Sequence, residues 1–264
     1  MGLKIDNFKD ILRKTQEDLK MVCLKYLIHK DYEIQFGDGY VYGKGDIPVM
    51  LIAHLDTVHK TLPYDIYYDQ EQDVMWSPQG IGGDDRCGVF AIFEILKTHK
   101  PYVLFLEDEE IGSIGASKAV KKIEEPNVNF LIELDRRGVN DCVFYDCGNK
   151  DFQEYIEGFG FETKIGTFTD IVTLSDAWQM ASVNLSIGYL KEHTSGETIH
   201  TRLMESTIAK VKNILDDAKE KDEFYEYNKS TRTYYSNDWI WDEKNKEWLY
   251  KNEKGDYEVY KSNF

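Results

Sequence analysis

Four short apolar runs constrain the fold of this chain more than any other feature of its sequence. They are VMLIA (49–53), YVLFL (102–106), NFLIEL (129–134) and VNLSIGYL (183–190). Each has the length and the low polarity of a central strand that is covered on both faces. Patterns of helical period separate some of the runs, and strands that alternate with helices are typical of parallel sheets. The sequence therefore predicts an α/β fold with a doubly wound, largely parallel central sheet flanked by helices.

Further elements are predicted at the two ends of this region. Apolar residues recur at helical spacing over residues 6–28 and again over residues 203–222, which predicts a helix in each. The segment YEIQFGDGYVYGKG (32–45) alternates in polarity and turns at glycines, which predicts a β-hairpin.

The apolar runs are followed by histidine and acidic residues. These are His54 and Asp56 after the first run, EDEE (107–110) after the second, Asp135 after the third and His193 after the fourth. A glycine-rich turn before a helix adds Asp84 and Asp85. Each residue alone has an ordinary explanation, such as a helix cap at Asp84 or a solvated charge run at EDEE. Because the carboxyl ends of strands in an open α/β sheet meet at one edge, their joint placement predicts a shared site.

Imidazoles and carboxylates together form the usual ligand set of zinc or a similar divalent ion. Two such ions about 3.5–4 Å apart can activate a water molecule between them. A pair of this kind needs a bridging carboxylate, terminal ligands for each ion and a separate base. The residues that follow the strands can supply each of these groups.

The motifs that carry these residues resemble those of the dinuclear zinc exopeptidases. In chain order they are HLDTV, GGDDRCG, EDEEIGSIGA, IELD and EHTSGE, and the resemblance covers roughly residues 30–215. This superfamily includes aminopeptidases, tripeptidase T and carboxypeptidase G-type enzymes. The order and spacing of the five motifs together are more specific than any one motif.

The resemblance implies a role for each of these residues. The implied metal ligands are His54, Asp84, Glu110, Asp135 and His193. Asp84 would bridge the two ions, Glu109 would be the general base, and Asp56 would orient the ligand His54. Two alternatives stay open, because Asp85 could replace Asp84 and His200 could replace His193.

The implied function is that of a metal-dependent exopeptidase. It would hydrolyse short peptides with a water activated by two zinc ions, with cobalt or manganese as alternative metals, and with Glu109 as base. An amidohydrolase or deacylase of N-acyl amino acids is the alternative on the same metal site. A non-catalytic binding protein on the same scaffold is a third hypothesis. Arg136 or Arg137 could bind a substrate carboxylate, which would favour a dipeptidase or carboxypeptidase.

The sequence predicts a domain boundary near residue 222. Residues 1–222 form the predicted catalytic domain, in which Asp135 and His193 are too close in sequence for a separate lid or dimerisation domain. Residues 223–264 are rich in aromatic residues, and Trp239, Trp248 and Tyr257 recur with a fixed period. This pattern predicts a small antiparallel β meander packed on the main domain. An oligomer contact or a wall of the substrate cleft is the alternative for its aromatic face.

Composition limits the partners and the compartment. A net charge of −16 repels phosphate backbones, which excludes nucleic acid as an expected partner. The sequence shows no apolar signal core and no membrane span. The four cysteines form no C-x-x-C pair, which favours a reducing compartment. We therefore expect a cytoplasmic protein that binds a short peptide or an N-acyl amino acid, with a homo-oligomer as a further option.

Overall fold

The structure is a computed structural model of the chain. It describes residues 3–145, 147–166, 169–227, 239–242, 247–251 and 257–259, the last three ranges by their backbone alone. The chain divides into two compact units, residues 1–227 and residues 228–264, and each is described by itself. Within the described ranges, no helix combines the length and the apolar character that crossing a membrane requires.

The first unit alternates strands and helices. In chain order its strands are β1 (Glu33–Gly37), β2 (Tyr40–Lys44), β3 (Ile47–His54), β4 (Tyr67–Asp69), β5 (Val74–Trp76), β6 (Pro101–Leu106), β7 (Phe130–Arg136), β8 (Asp141–Val143), β9 (Glu162–Thr163), β10 (Ser182–Ser186), β11 (Tyr189–Leu190) and β12 (Thr198–Ile199). Its helices are α1 (Ile5–Leu12), α2 (Gln16–His29), α3 (Gly83–Ile95), α4 (Ile114–Ala119), α5 (Lys150–Glu157), α6 (Asp170–Trp178) and α7 (Thr201–Lys221).

The central sheet has the spatial order β1-β2-β6-β3-β7-β10-β8-β9 in the described part of the chain. Its middle strands β6, β3, β7 and β10 are parallel neighbours. The predicted hairpin β1-β2 is antiparallel and forms one edge, while β8 runs antiparallel to β10 near the other. The predicted α/β fold with a largely parallel sheet is thus confirmed.

Both faces of the sheet are buried, which explains the continuous apolar runs. Val49, Leu51 and Ala53 of β3 pack in a core with residues of α1, α2, α3 and α7. Met50 and Ile52 point to the opposite face and pack with residues of α4 and α6. Successive side chains of a strand alternate between faces, so a strand between two helical layers needs apolar residues at every position.

A small second sheet lies in the same unit and has the antiparallel order β11-β12-β5-β4. The loop of residues 191–197 joins β11 to β12 and carries His193. The site therefore draws on the ends of central strands and on this loop.

Two predicted elements are wrong in their extent. The single helix predicted over residues 6–28 is two helices, because Thr15 begins α2 by accepting a hydrogen bond from the Asp18 N–H at 3.1 Å. The run 183–190 is divided between β10 and β11. Gly188 lies between them with φ +88°, a conformation that glycine adopts readily and that turns the chain toward the second sheet.

The second unit contains β13 (Trp239–Asp242), β14 (Glu247–Lys251) and β15 (Tyr257–Val259). They pair as an antiparallel sheet in that order, with Trp241 opposite Trp248 in the backbone register. The predicted β meander is confirmed. Its predicted aromatic face and its packing lie outside the described residues.

Candidate metal centre

His54 is the buried last residue of β3. Its Nδ1 lies 3.1 Å from Asp56 Oδ1, and its Nε2 lies 3.0 Å from Asp84 Oδ1 and 3.5 Å from Asp135 Oδ1. Because an ionised carboxylate only accepts hydrogen bonds, we assign a proton on Nδ1 that is donated to Asp56. Nε2 faces Asp84 and Asp135 in the same way. Burial lowers the pKa of His54, but these carboxylates raise it well above its ordinary value, so Nε2 is the ring atom on which a metal would replace a proton.

Asp56 connects the end of β3 to the acidic segment after β6. Its Oδ1 and Oδ2 accept hydrogen bonds from the backbone N–H groups of Glu109 and Glu110, each at 3.0 Å. Burial opposes the charged carboxylate, but the bonds from His54 and from the two N–H groups hold the pKa of Asp56 below its ordinary value. One side chain thus orients His54 and fixes the backbone of both glutamates.

Asp84 lies between two imidazoles. Its Oδ1 is 3.0 Å from His54 Nε2, and its Oδ2 is 3.1 Å from His193 Nε2. The same atom of His193 lies 3.0 Å from Glu110 Oε1. The two oxygens of one carboxylate therefore face two separate sets of ligand atoms.

The neighbouring Asp85 differs from Asp84 because backbone groups use both of its oxygens. Its Oδ1 accepts from the Gly88 N–H at 2.9 Å, and its Oδ2 accepts from the His54 N–H at 3.2 Å. The ligand atoms of His54, Asp85 and Asp135 do lie within 4.8 Å of one another. Even so, the hydrogen bonds of Asp85 fit a structural role in the first turn of α3, and the geometry favours Asp84 as the bridging carboxylate.

The distances within the cluster fit divalent metal ions. Bonds of about 2.0–2.2 Å from zinc to nitrogen or oxygen place the ligand atoms of a tetrahedral site about 3.3–3.6 Å apart. Of the four pairs that join His54 or His193 to carboxylates, one lies in this range at 3.5 Å, and the other three are slightly closer at 3.0–3.1 Å. In addition, Glu110 Oε1 is buried and has no hydrogen-bond partner of suitable geometry among the described residues.

Negative charge is crowded at this site. Burial and the neighbouring Asp84 raise the pKa of Glu110 to about 7 and that of Asp135 to about 6. The hydrogen bond to Asp84 and the charge of Glu110 raise the pKa of His193 to about 9. Crowded carboxylates disfavour one another's ionisation and keep protons on nearby imidazoles, and divalent cations relieve the same repulsion.

A cleft of about 150 Å³ opens onto the cluster. It is lined by Asp84, Glu109, Asp135, Arg136, Arg137, Tyr145, Tyr189, Glu192 and His193. Burial raises the pKa of Glu109 to about 8. A larger groove of about 310 Å³ lies at the amino ends of β3 and β6 and shares no residue with this cluster. The residues that line the smaller cleft, and not its volume, therefore identify it as the candidate site.

The two arginines are at the rim of the cleft. Arg137 pairs with Glu192, and more than half of its side chain is exposed. Arg136 is more buried, donates from Nη2 to the Ile165 carbonyl oxygen at 3.2 Å and lies 4.0 Å from Asp141. Their role in substrate binding stays a prediction.

His193 is the histidine that lies in the cluster. His200 begins α7, and its ring is 3.4 Å from Thr198 Oγ1. In the part of the chain that the structure describes, no contact joins His200 to the ligand cluster. The geometry thus favours His193.

Several buried residues beside the cluster have no role in the sequence analysis. The Tyr189 hydroxyl donates to Asp135 Oδ1 at 2.9 Å, and Thr169 Oγ1 lies 2.7 Å from Glu133 Oε2 and 3.2 Å from Asp135 Oδ2. Asp170 is fully buried, and burial raises its pKa to about 7. A buried glutamate in EHTSGE, Glu197, accepts from the Asp84 N–H at 2.9 Å. The position of Glu197 within the motif EHTSGE is the one sequence signal that could have identified this residue.

Comparisons with known proteins point to one family. The sequence profile of peptidase family M28 matches residues 40–208, which is more than half of the chain. None of the curated proteins matches the sequence.

Solved structures share the fold at low identity. A tripeptidase from Staphylococcus aureus subsp. aureus Mu50 has a TM-score of 0.66 and 13% identity, over 82% of this chain and 98% of that chain. The aminopeptidase PepT from Bacillus cereus ATCC 10987 has a TM-score of 0.62 and 13% identity, over 81% and 97%. The TET1 peptidase of Pyrococcus horikoshii, which can assemble into a tetrahedron or a large octahedral shell, has a TM-score of 0.57 and 14% identity, over 80% and 98%. The predicted resemblance to the zinc exopeptidases is confirmed, and the chain belongs to peptidase family M28.

Proposed function

We propose that this peptidase is an exopeptidase that uses two divalent metal ions to hydrolyse short peptides. Zinc is the proposed metal, with cobalt or manganese as alternatives. The observation that carries the proposal is Asp84, whose two oxygens lie within 3.1 Å of two different imidazoles. A carboxylate in that position can bind two ions at once.

Each ion would be held by Asp84 and by two terminal ligands. His54 and Asp135 would complete one site, and Glu110 and His193 would complete the other. When bound, the ions would supply the positive charge that lowers the pKa of water and polarises a peptide carbonyl. Because Asp56 accepts the proton of His54 Nδ1, Nε2 is the ring atom that would bind the metal in place of its own proton.

Glu109 is the proposed general base. Its carboxyl lines the cleft, while its backbone N–H is held by Asp56. A Glu109 carboxylate oxygen accepts a proton from water as the water oxygen bonds to the peptide carbonyl carbon. The same oxygen then returns the proton to the amine nitrogen as the C–N bond breaks.

The size of the cleft supports a small substrate. Its volume of about 150 Å³ is below the roughly 300–1,000 Å³ of typical ligand pockets. Such a cleft suits the end of a short peptide better than the middle of a long chain. The S. aureus tripeptidase and B. cereus PepT are similar in fold, which supports peptides as the substrate class.

The direct test is a substrate panel with the wild type and Glu109→Gln. The panel contains di- and tripeptides with free amines, their N-acetylated forms and N-acyl amino acids. Asp108→Asn is the matched control, since Asp108 is the adjacent acid and accepts instead from Gln16 Nε2 at 2.9 Å. Asn also tolerates the positive φ of 62° at that position.

We expect the zinc-loaded wild type and Asp108→Asn to cleave free-amine peptides. Glu109→Gln should retain its metal, measured by elemental mass spectrometry, and lose nearly all turnover. Cleavage of N-acyl amino acids alone would instead favour a deacylase. Turnover by Glu109→Gln at the wild-type rate would overturn the assignment of the base.

Self-association is a separate prediction. The P. horikoshii TET1 peptidase, which shares this fold, can assemble into a tetrahedron or a large octahedral shell. Light scattering of the purified protein over a range of concentrations distinguishes a monomer from such assemblies.

A further inference from the structure

A buried carboxylate links the two loops that carry Asp84 and His193. Glu197 is 0% exposed and lies four positions after His193, at the end of the loop between β11 and β12. Its side chain is not among those that line the cleft. It therefore contacts neither a substrate nor a metal ion in the proposed function.

Both oxygens of Glu197 accept hydrogen bonds. Oε1 accepts from the Asp84 N–H at 2.9 Å, and Oε2 accepts from the Gly82 N–H at 3.1 Å. His59 Nε2 lies 2.8 Å from the same Oε2. Two of these donors belong to the turn of residues 80–84, so Glu197 holds the backbone from which Asp84 projects.

The turn packs tightly on this carboxylate. Gly82 has φ +65°, a conformation that favours glycine. At Gly83, a Cβ atom would lie 3.1 Å from Glu197 Oε1 and 2.8 Å from Ile199 Cγ1. The absence of side chains at both positions lets two backbone N–H groups reach one carboxylate.

The loop that carries His193 is held in part by hydrogen bonds within the loop. The His193 side chain is 51% exposed, and its φ is +61°. Thr194 Oγ1 donates to the Lys191 carbonyl oxygen at 2.7 Å and accepts from the Gly196 N–H at 3.2 Å. His193 contacts the side chain of Asp84, and Glu197 accepts hydrogen bonds from the backbone of the turn that carries Asp84.

We propose that Glu197 is a positioning residue, which holds Asp84 and His193 at the separation that the second metal ion requires. The second ion is the one assigned to Asp84, Glu110 and His193, so the inference rests on the proposed function. Glu197→Gln replaces one acceptor oxygen with an NH₂ group that faces an N–H donor. Because loss of a group that orients metal ligands typically costs about 10- to 100-fold in affinity, we expect that loss for the second ion. The first ion shares Asp84 but would have no ligand on the loop of His193, so its affinity should fall by less.

The test is a zinc titration of the metal-free protein by calorimetry, which measures the two affinities separately. Asp73→Asn is the matched control. Asp73 is a buried carboxylate that accepts from the Thr201 and Arg202 N–H groups, at 3.2 and 2.8 Å. Its contacts hold the start of α7 and no metal ligand. Thermal melts of both variants show how much stability each change removes.

We expect Asp73→Asn to lose stability and keep both zinc affinities. Glu197→Gln should lose more affinity at the second site than at the first, a pattern that a merely structural role would not produce. If Glu197→Gln does not fold, Glu197→Asp keeps the charge, is one methylene shorter and should show a smaller loss at the same site.

The result that overturns the inference is two ions bound by the folded Glu197 variant as tightly as by the wild type. A wild-type protein that binds fewer than two ions overturns the proposed function itself, and the inference with it. The two failures are therefore distinguishable in one titration series.

Discussion

Replacement of Asp56 by Asn measures how far one carboxylate organises the metal centre. Asp56 accepts three hydrogen bonds of 3.0–3.1 Å, from His54 Nδ1 and from the N–H groups of Glu109 and Glu110. Asn offers one acceptor oxygen and one NH₂ group. In either orientation of the amide, at least one N–H donor faces the NH₂ group and loses its partner.

The magnitude follows from these contacts. A buried donor without a partner costs about 1–3 kcal/mol of stability. Weaker orientation of His54 should reduce metal affinity by about 10- to 100-fold. That reduction corresponds to about 1.4–2.7 kcal/mol of binding free energy.

Two assays separate these effects. Urea unfolding of the metal-free protein gives the loss of stability, and a zinc titration gives the loss of affinity. Asp38→Asn is the control, because Asp38 is highly exposed and pairs with Lys118 at the surface. A folded Asp56→Asn variant with wild-type zinc affinity would refute the role of Asp56 in orienting His54.

Three further predictions concern stability. The folded protein raises the pKa of Glu109 from 4.5 to about 8 and that of His193 from 6.5 to about 9, so it keeps protons that the unfolded chain releases. The melting temperature of the metal-free protein should therefore fall as the pH rises from about 4.5 to about 9. Bound zinc should make the melting temperature less dependent on pH. A melting temperature that does not change with pH in the metal-free protein would contradict this prediction. Leu51→Ala, at a fully buried position of β3, should cost about 2–5 kcal/mol in urea unfolding, and a loss below 1 kcal/mol would argue against the packing described. Thr15→Ala removes the hydrogen bond at the start of α2 and should cost about 0.5–2 kcal/mol by the same assay, whereas an unchanged midpoint would mean that the cap contributes nothing.

The sequence predicts the central sheet well because helices cover both of its faces, which favours continuous apolar runs in its strands. Strands buried on both faces favour apolar residues at every position, and β3 and β6 show that pattern. β7 and β10 depart from it at the buried residues Glu133, Ser182, Asn184 and Ser186. The limits of elements are less predictable. A local hydrogen bond at Thr15 begins a second helix, and Gly188 turns the chain within a run that has the pattern of one strand.

Some residues of the site are also predictable from the sequence, and others are not. His54 and Asp56 are identifiable because they follow a strand two positions apart, and the parallel topology brings Asp135 to the same edge. Contacts between distant segments leave no such local pattern. His59 and Glu197 are 138 positions apart, yet they lie 2.8 Å apart in the structure. Neither residue therefore has a role that the sequence predicts.

Metal content per chain, measured by elemental mass spectrometry, tests the two-metal centre most directly. We expect close to two ions in the wild type after incubation with zinc, fewer in His54→Ala, and two in His200→Ala, because His200 lies outside the ligand cluster. A wild-type protein that binds no metal under these conditions would contradict the account, and His54 would then be a strand-end residue held by its hydrogen bonds alone.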